Sequence, residues 1–136
     1  MADACYDVWI MNSRGTDYSQ KHETLIPTKT APSKYWNFDW HEMGLYDLPA
    51  VTDYILEKTG VEKLLYIGHS QGTTQALVAS IFHQDLKDKI LAYFLLAPIA
   101  YLKHSTNLFL QALSKVQVII KVRKKYFCTK IVSENL

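Results

Sequence analysis

The pentapeptide Gly68-His69-Ser70-Gln71-Gly72 constrains the fold of this chain more than any other stretch. It matches the pattern G-x-S-x-G, and its flanks give the pattern meaning. An apolar run, Leu64-Leu65-Tyr66-Ile67, leads in, and a helix-permitting run, Thr73 to Phe82, leads out. A serine on a sharp strand-to-helix turn is lifted clear of the backbone with its hydroxyl exposed. Gly68 and Gly72 suit such a turn because glycine tolerates strained dihedrals, and because a side chain there would strike the adjoining strand or helix. The following helix directs its positive N-terminal end toward the place where an oxyanion would develop. The pattern therefore points to a nucleophilic Ser70 for acyl transfer. The competing reading is an ordinary glycine-rich turn.

The rest of the chain supplies elements for an α/β fold. Val8-Trp9-Ile10-Met11 reads as a buried strand, and residues 16 to 38 as a long loop. Asp39 followed by Glu42 has the form of a capping box, so a helical turn is expected from Trp40. Pro49 is expected to open a separate helix, Ala50 to Thr59, with Val51, Tyr54 and Ile55 on its packing face and Gly60 as its stop. Lys63 to Ile67 and Ile90 to Leu96 read as strands, with Thr73 to Phe82 between them as a helix whose Ala76, Leu77, Ala79 and Ser80 can pack on a sheet. Strand, helix, strand, helix, strand implies right-handed crossovers and a mostly parallel sheet with flanking helices. The strands alternate little, which predicts burial on both faces. With 136 residues, 49% of them hydrophobic, the chain can enclose a core. It is nevertheless short for a whole hydrolase sheet, since only about three strand–helix units can be read.

Charge and composition narrow the function classes. A net charge of +2 argues against a polyanion-binding role, so no nucleic-acid partner is expected. The one basic cluster, Lys121-Val122-Arg123-Lys124-Lys125 with Lys130 beyond, reads as a solvated tail. Cys5 and Cys128 do not form a short-spaced redox or metal pair and are expected as two free thiols. The longest apolar run, Leu91 to Leu102, is too short to cross a bilayer. Met1 to Trp9 lacks the basic start and apolar stretch of a secretory signal.

Several segments taken together resemble the acid lipases, the gastric and lysosomal branch of the α/β-hydrolases. They are Ala2-Asp3-Ala4-Cys5-Tyr6-Asp7-Val8-Trp9, Asn12-Ser13-Arg14-Gly15 with Tyr18-Ser19 and Lys21-His22, Tyr46-Asp47-Leu48-Pro49-Ala50, Tyr66 to Thr74, and Leu96-Ala97-Pro98. The likeness keeps family order over residues 2 to 107. It implies a partial α/β-hydrolase core over 1–107 and a divergent tail over 108–136. It also implies a lipid-ester hydrolase acting on triacylglycerols or sterol esters at an interface, secreted or lysosomal, with no metal or organic cofactor. By position, Ser70 would be the nucleophile and the backbone N–H of Gln71 an oxyanion donor. Cys5 stands where a glycine is usual in this family.

The resemblance also implies what the chain lacks. The triad of such enzymes runs Ser, then Asp or Glu, then His. The family's Asp and His are expected outside this chain, as is the loop carrying the second oxyanion donor. The expected identity is thus a fragment, a truncated product or an incomplete gene model; the alternative is a non-catalytic isoform or remnant. Among its own histidines, His69 adjoins the serine and points elsewhere, His83 ends the post-elbow helix, and His22 and His41 read as loop and helix-start residues. His104, after the third strand, is the one substitute base with a tempting position. Asp53, Asp85 and Asp88 read as solvent-facing carboxylates. The aromatic stretch Tyr35 to Trp40 reads as loop packing, and Arg14 as a scaffold residue.

Overall fold

A computed structural model describes residues 1–27, 34–101 and 106. Its centre is a parallel pair of strands, β1 (Leu64–His69) and β2 (Ile90–Leu96), joined through a helix. Tyr66 pairs with Tyr93 and His69 with Leu96, so both strands finish at the same edge. The connecting helix, α3 (Gln71–Phe82), starts two residues earlier than its sequence suggested. A short α4 (Leu86–Lys89), not foreseen, turns the chain back into β2. Leu48, Ala76, Ala79, Leu86 and Ile90 form the buried core, and Met11, Leu64, Tyr66, Tyr93 and Leu95 pack against it.

Before β1 the chain forms one helical run rather than two. It begins with α1 (Trp40–Glu42), where Asp39 and Glu42 make the expected capping box. It widens into a π-helical segment, Met43–Asp47, and continues as α2 (Leu48–Thr59), ending at Gly60 with φ 72. Pro49 does not break it because the register loosens first: Leu48 N–H bonds five residues back, to Met43 O. Proline has no N–H to give Leu45 O, its α-helical partner. His83 Nε2 donates to that carbonyl instead, at 2.7 Å, and a carbonyl can only accept, so Nε2 carries the proton.

The face that α2 buries differs from the expected one. Leu48, Pro49 and Thr52 are buried, whereas Tyr54 is half exposed and edges against Trp9. Gly44 in the π-helical segment lets that turn approach α3, since a Cβ there would lie 2.7 Å from Val78 Cβ and 2.8 Å from Gln75 O.

Two further expectations fail. Val8 to Met11 forms no strand: Ile10 is 86% exposed, and β1 and β2 pair only with each other among the described residues. A strand needs a neighbour to take its N–H and C=O groups, and among the described residues this segment is paired with neither β1 nor β2. Nor do the described residues cover the strands on both faces. Leu65, Ile67, Leu91, Phe94 and Leu96 are exposed, while the opposite face packs under α3. Residues 108–136, including Cys128 and the basic cluster, lie outside the described residues.

Candidate functional site

The strand–turn–helix unit puts Ser70 at the shared C-terminal edge of the two strands. Its backbone, φ 51 and ψ −113, lies in a region that L residues rarely occupy, a conformation costing about 1–3 kcal/mol. Such strain persists only where the surroundings over-determine it. Here the Ser70 N–H donates to Leu96 O at 3.0 Å, tying the turn to the end of β2. Ala97, the next residue of that strand end, also has positive φ, at 49. Two strained non-glycine residues therefore meet at one place.

Gly68 is required by contact. A Cβ there would come within 2.8 Å of Tyr66 Cε1 and 2.9 Å of the Gly72 carbonyl carbon. Gly72 is less confined than its sequence suggested, because an added Cβ would meet Tyr66 Oη at an ordinary 3.5 Å. The Tyr66 hydroxyl donates to Gly72 O at 2.8 Å. Burial, assisted by the neighbouring Tyr93, pushes the Tyr66 phenol up to about 12, so it remains a donor.

Ser70 occupies the N-cap position of α3, but its hydroxyl makes no capping bond to that helix. Gln71 is the first helical residue, so its N–H is one of the donors that a helix leaves without an internal partner. Below the turn, Gln71 Nε2 and Gln75 Nε2 each lie 3.5 Å from the buried Met43 sulfur. Gln75 also bonds Ser13 Oγ at 3.1 Å. Arg14 is gripped by Asp47, with Nε donating to Oδ1 at 2.7 Å and the backbone N–H to Oδ2 at 2.9 Å. The segment Asn12 to Gly15 is thus pinned to both α3 and the π-helical segment. Arg14 acts there as an anchor and not as a free anion site.

The described histidines and aspartates lie elsewhere. His69 is exposed beside the turn. His22 Nδ1 accepts the N–H groups of Thr24 and Leu25, and His41 packs edge-on to Phe82. His83 holds Leu45 O at the far end of the 12-residue α3, about 18 Å from its start at 1.5 Å per residue. Lys89 bridges Asp53 at 2.7 Å and Asp85 at 2.6 Å. The Lys89 hydrogen bond holds the Asp85 carboxyl below its usual range, and Lys89 is raised in turn by Asp53 and Asp85. Lys89 precedes β2, so this cluster sits at the opposite edge of the sheet from Ser70, about 20 Å away at 3.3 Å per residue. His104 lies outside the described residues.

Among the described residues, no cluster of His, Cys, Asp or Glu could hold a metal ion, and no helix is long and apolar enough to cross a membrane. The aromatic stretch is partly packed: Tyr35 is buried against Trp36 and Phe38, and Gly15 fits under Phe38 where a Cβ would lie 2.6 Å from the ring.

Thr73 and Thr74 escaped the sequence reading as anything beyond helix formers. Thr73 is fully buried; its hydroxyl donates to Ser70 O at 2.6 Å and accepts the Ile99 N–H at 2.9 Å. Thr74 Oγ1 donates to Ile99 O at 2.8 Å. The signal was two hydroxyl residues in the first turn of a helix expected to pack against a sheet.

Comparison with known proteins agrees with this geometry. The family model described as "alpha/beta hydrolase fold" matches residues 2–121. Human lipase member M is 48% identical over 107 residues, covering 79% of this chain and 25% of that protein. Mouse lipase member K is 44% identical over 131 residues, covering 95% of this chain and 32% of that protein. Gastric triacylglycerol lipase of Bos taurus is 44% identical over 109 residues, covering 80% of this chain and 27% of that protein. The chain thus spans about a quarter to a third of the length of these relatives.

Proposed function

Because the chain belongs to the α/β-hydrolase fold family, and within it to the acid lipases, we propose that it carries the nucleophile of a lipid-ester hydrolase, with Ser70 as the attacking residue. The observation that carries this reading is the strained, non-capping Ser70 on a strand-to-helix turn, held at the edge where β1 and β2 both end. Ser70 is partly exposed there, and an activated hydroxyl in that place can attack an ester carbonyl and form an acyl-enzyme. The Gln71 N–H, at the positive end of α3, can then stabilise the oxygen that gains charge. The substrate in this reading is a lipid ester, a triacylglycerol or sterol ester met at an interface, and the location secreted or lysosomal; the triacylglycerol part is supported by the bovine relative's name, gastric triacylglycerol lipase.

A serine needs a base within hydrogen-bond reach. Among the described residues His69 lies beside the turn but adjoins Ser70 in the chain and points elsewhere, and the other histidines are held away from the turn; this supports the reading that the base comes from a longer protein containing this segment. The 136-residue chain alone is then inactive, which also keeps a non-catalytic isoform or remnant as the second reading. The test is hydrolysis of a short-chain p-nitrophenyl ester and of tributyrin by the full-length protein and its Ser70→Ala variant. Turnover is expected to fall at least 1,000-fold, on the order of what a lost nucleophile costs, with the melting temperature unchanged. Turnover retained by the variant contradicts the assignment.

A further inference from the structure

The Ser70 carbonyl is held by two hydrogen bonds, whereas its hydroxyl makes no capping bond. Two donors of one residue converge on it: Thr73 N–H at 3.0 Å and Thr73 Oγ1 at 2.6 Å. The same hydroxyl is itself oriented, because it accepts the Ile99 N–H at 2.9 Å and so has its proton left for the carbonyl. Thr74 closes the arrangement by donating to Ile99 O. Thr73 is fully buried, so water does not compete for these bonds.

The consequence lies on the other side of the same peptide unit. A trans peptide is planar, and its C=O and N–H point in opposite directions. Fixing the direction of Ser70 C=O therefore fixes the direction of Gln71 N–H, which points out of the α3 N-terminus. A hydrogen bond to the carbonyl also polarises the amide and makes its N–H a better donor. The Ser70 N–H cannot share this task, since it is spent on Leu96 O. We propose that the Thr73 hydroxyl is a positioning residue for the reaction: it aims and polarises the Gln71 N–H as an oxyanion donor, and through Ile99 it locks that aim to the segment following β2. Thr73 itself touches no reacting atom. The inference rests on the reading of Ser70 as the nucleophile.

An oxyanion forms only on the way to the tetrahedral intermediate, so a donor that is badly aimed should lower kcat and leave KM nearly unchanged. The experiment is steady-state hydrolysis of p-nitrophenyl butyrate by the full-length protein and its Thr73→Val, Thr73→Ala, Thr73→Ser and Ser70→Ala variants, each with a melting curve. Valine keeps the shape and removes the hydroxyl; serine restores it. For Thr73→Val the expected result is a roughly tenfold fall in kcat, the scale of one neutral hydrogen bond, with KM within twofold. Thr73→Ser should return kcat to within about threefold of the parent. If the valine variant does not fold, the serine variant still decides: a kcat as low as that of a hydroxyl-free Thr73→Ala overturns the proposal. So does a valine variant with unchanged kcat, or one in which KM rises while kcat holds. Turnover surviving in Ser70→Ala refutes the nucleophile assignment separately, whatever the Thr73 variants show.

Discussion

In residues 64–101 the apolar runs and the serine pentapeptide become paired strands and a helix, whereas the only regular element described in residues 1–27 is the 3-10 turn Ala2–Ala4. In 64–101 the apolar runs become β1 and β2, and the serine pentapeptide becomes a turn tied at every level: Ser70 N–H to Leu96, Ser70 C=O to Thr73, Gly72 C=O to Tyr66. In 1–27 the run Val8-Trp9-Ile10-Met11 stays outside any ladder and is held by side chains, namely Met11 on the core, Ser13 on Gln75 and Arg14 on Asp47. An apolar run alone therefore does not make a strand: Val8 to Met11 pairs with neither β1 nor β2 among the described residues. One region is held by backbone and core together, the other by a few anchors.

The largest expected effect attacks the core beneath the first region. Leu86 is 1% exposed and packs with Ala76, Ala79 and Ile90. Leu86→Ala should cost about 3 kcal/mol and lower the melting temperature of the whole unit. A loss under about 1 kcal/mol, read by urea unfolding, would show that the site collapses freely and that α4 is not part of the core.

A smaller effect, confined to one side, is expected at the anchor of the second region. Arg14→Ala removes the guanidinium contacts of Nε and Nη2 to Asp47 Oδ1, while the backbone N–H bond to Oδ2 survives, and should cost about 2 kcal/mol. The comparison makes a sharper statement than this magnitude. Amide hydrogen exchange should accelerate in residues 1–27 while α3 stays protected. Equal loss of protection in both regions would make them one cooperative unit and break the comparison.

Much of the elbow was legible because its rules are local. Strand, G-x-S-x-G and helix follow from apolar runs, glycine spacing and the needs of a sharp turn, and Gly60 and the Asp39–Glu42 box follow from capping. What escaped depends on contacts distant in sequence. The π-helical widening before Pro49 is supported by His83, 38 residues away from the carbonyl it serves. Gly44 is needed because Val78 lies against it, and Thr73 matters because Ile99 returns to it. The burial of the strands was misjudged for a related reason: a continuous apolar run states that both faces suit a core but not which face the described residues cover.

The smallest expected effect tests strain where little else is at stake. Cys5 ends the first turn with φ 62 and ψ 24, in the left-handed region that favours glycine. Cys5→Gly should stabilise the protein by under about 1 kcal/mol, because the turn is exposed and lies in the loosely anchored region. A destabilisation in thermal melts would mean that the cysteine side chain contributes more than its backbone strain costs.

We propose that this chain supplies a nucleophilic serine whose activating base lies elsewhere in a longer protein. A fluorophosphonate reacts with a serine that is activated, not merely exposed. The direct measurement is fluorophosphonate labelling of the full-length protein and of the 136-residue chain side by side, with the modified peptide identified by mass spectrometry. The account predicts a single adduct on Ser70 in the full-length protein, abolished by Ser70→Ala, and no adduct on the folded 136-residue chain. Strong labelling of the short chain at Ser70, or an adduct on any other serine of the full-length protein, would contradict it.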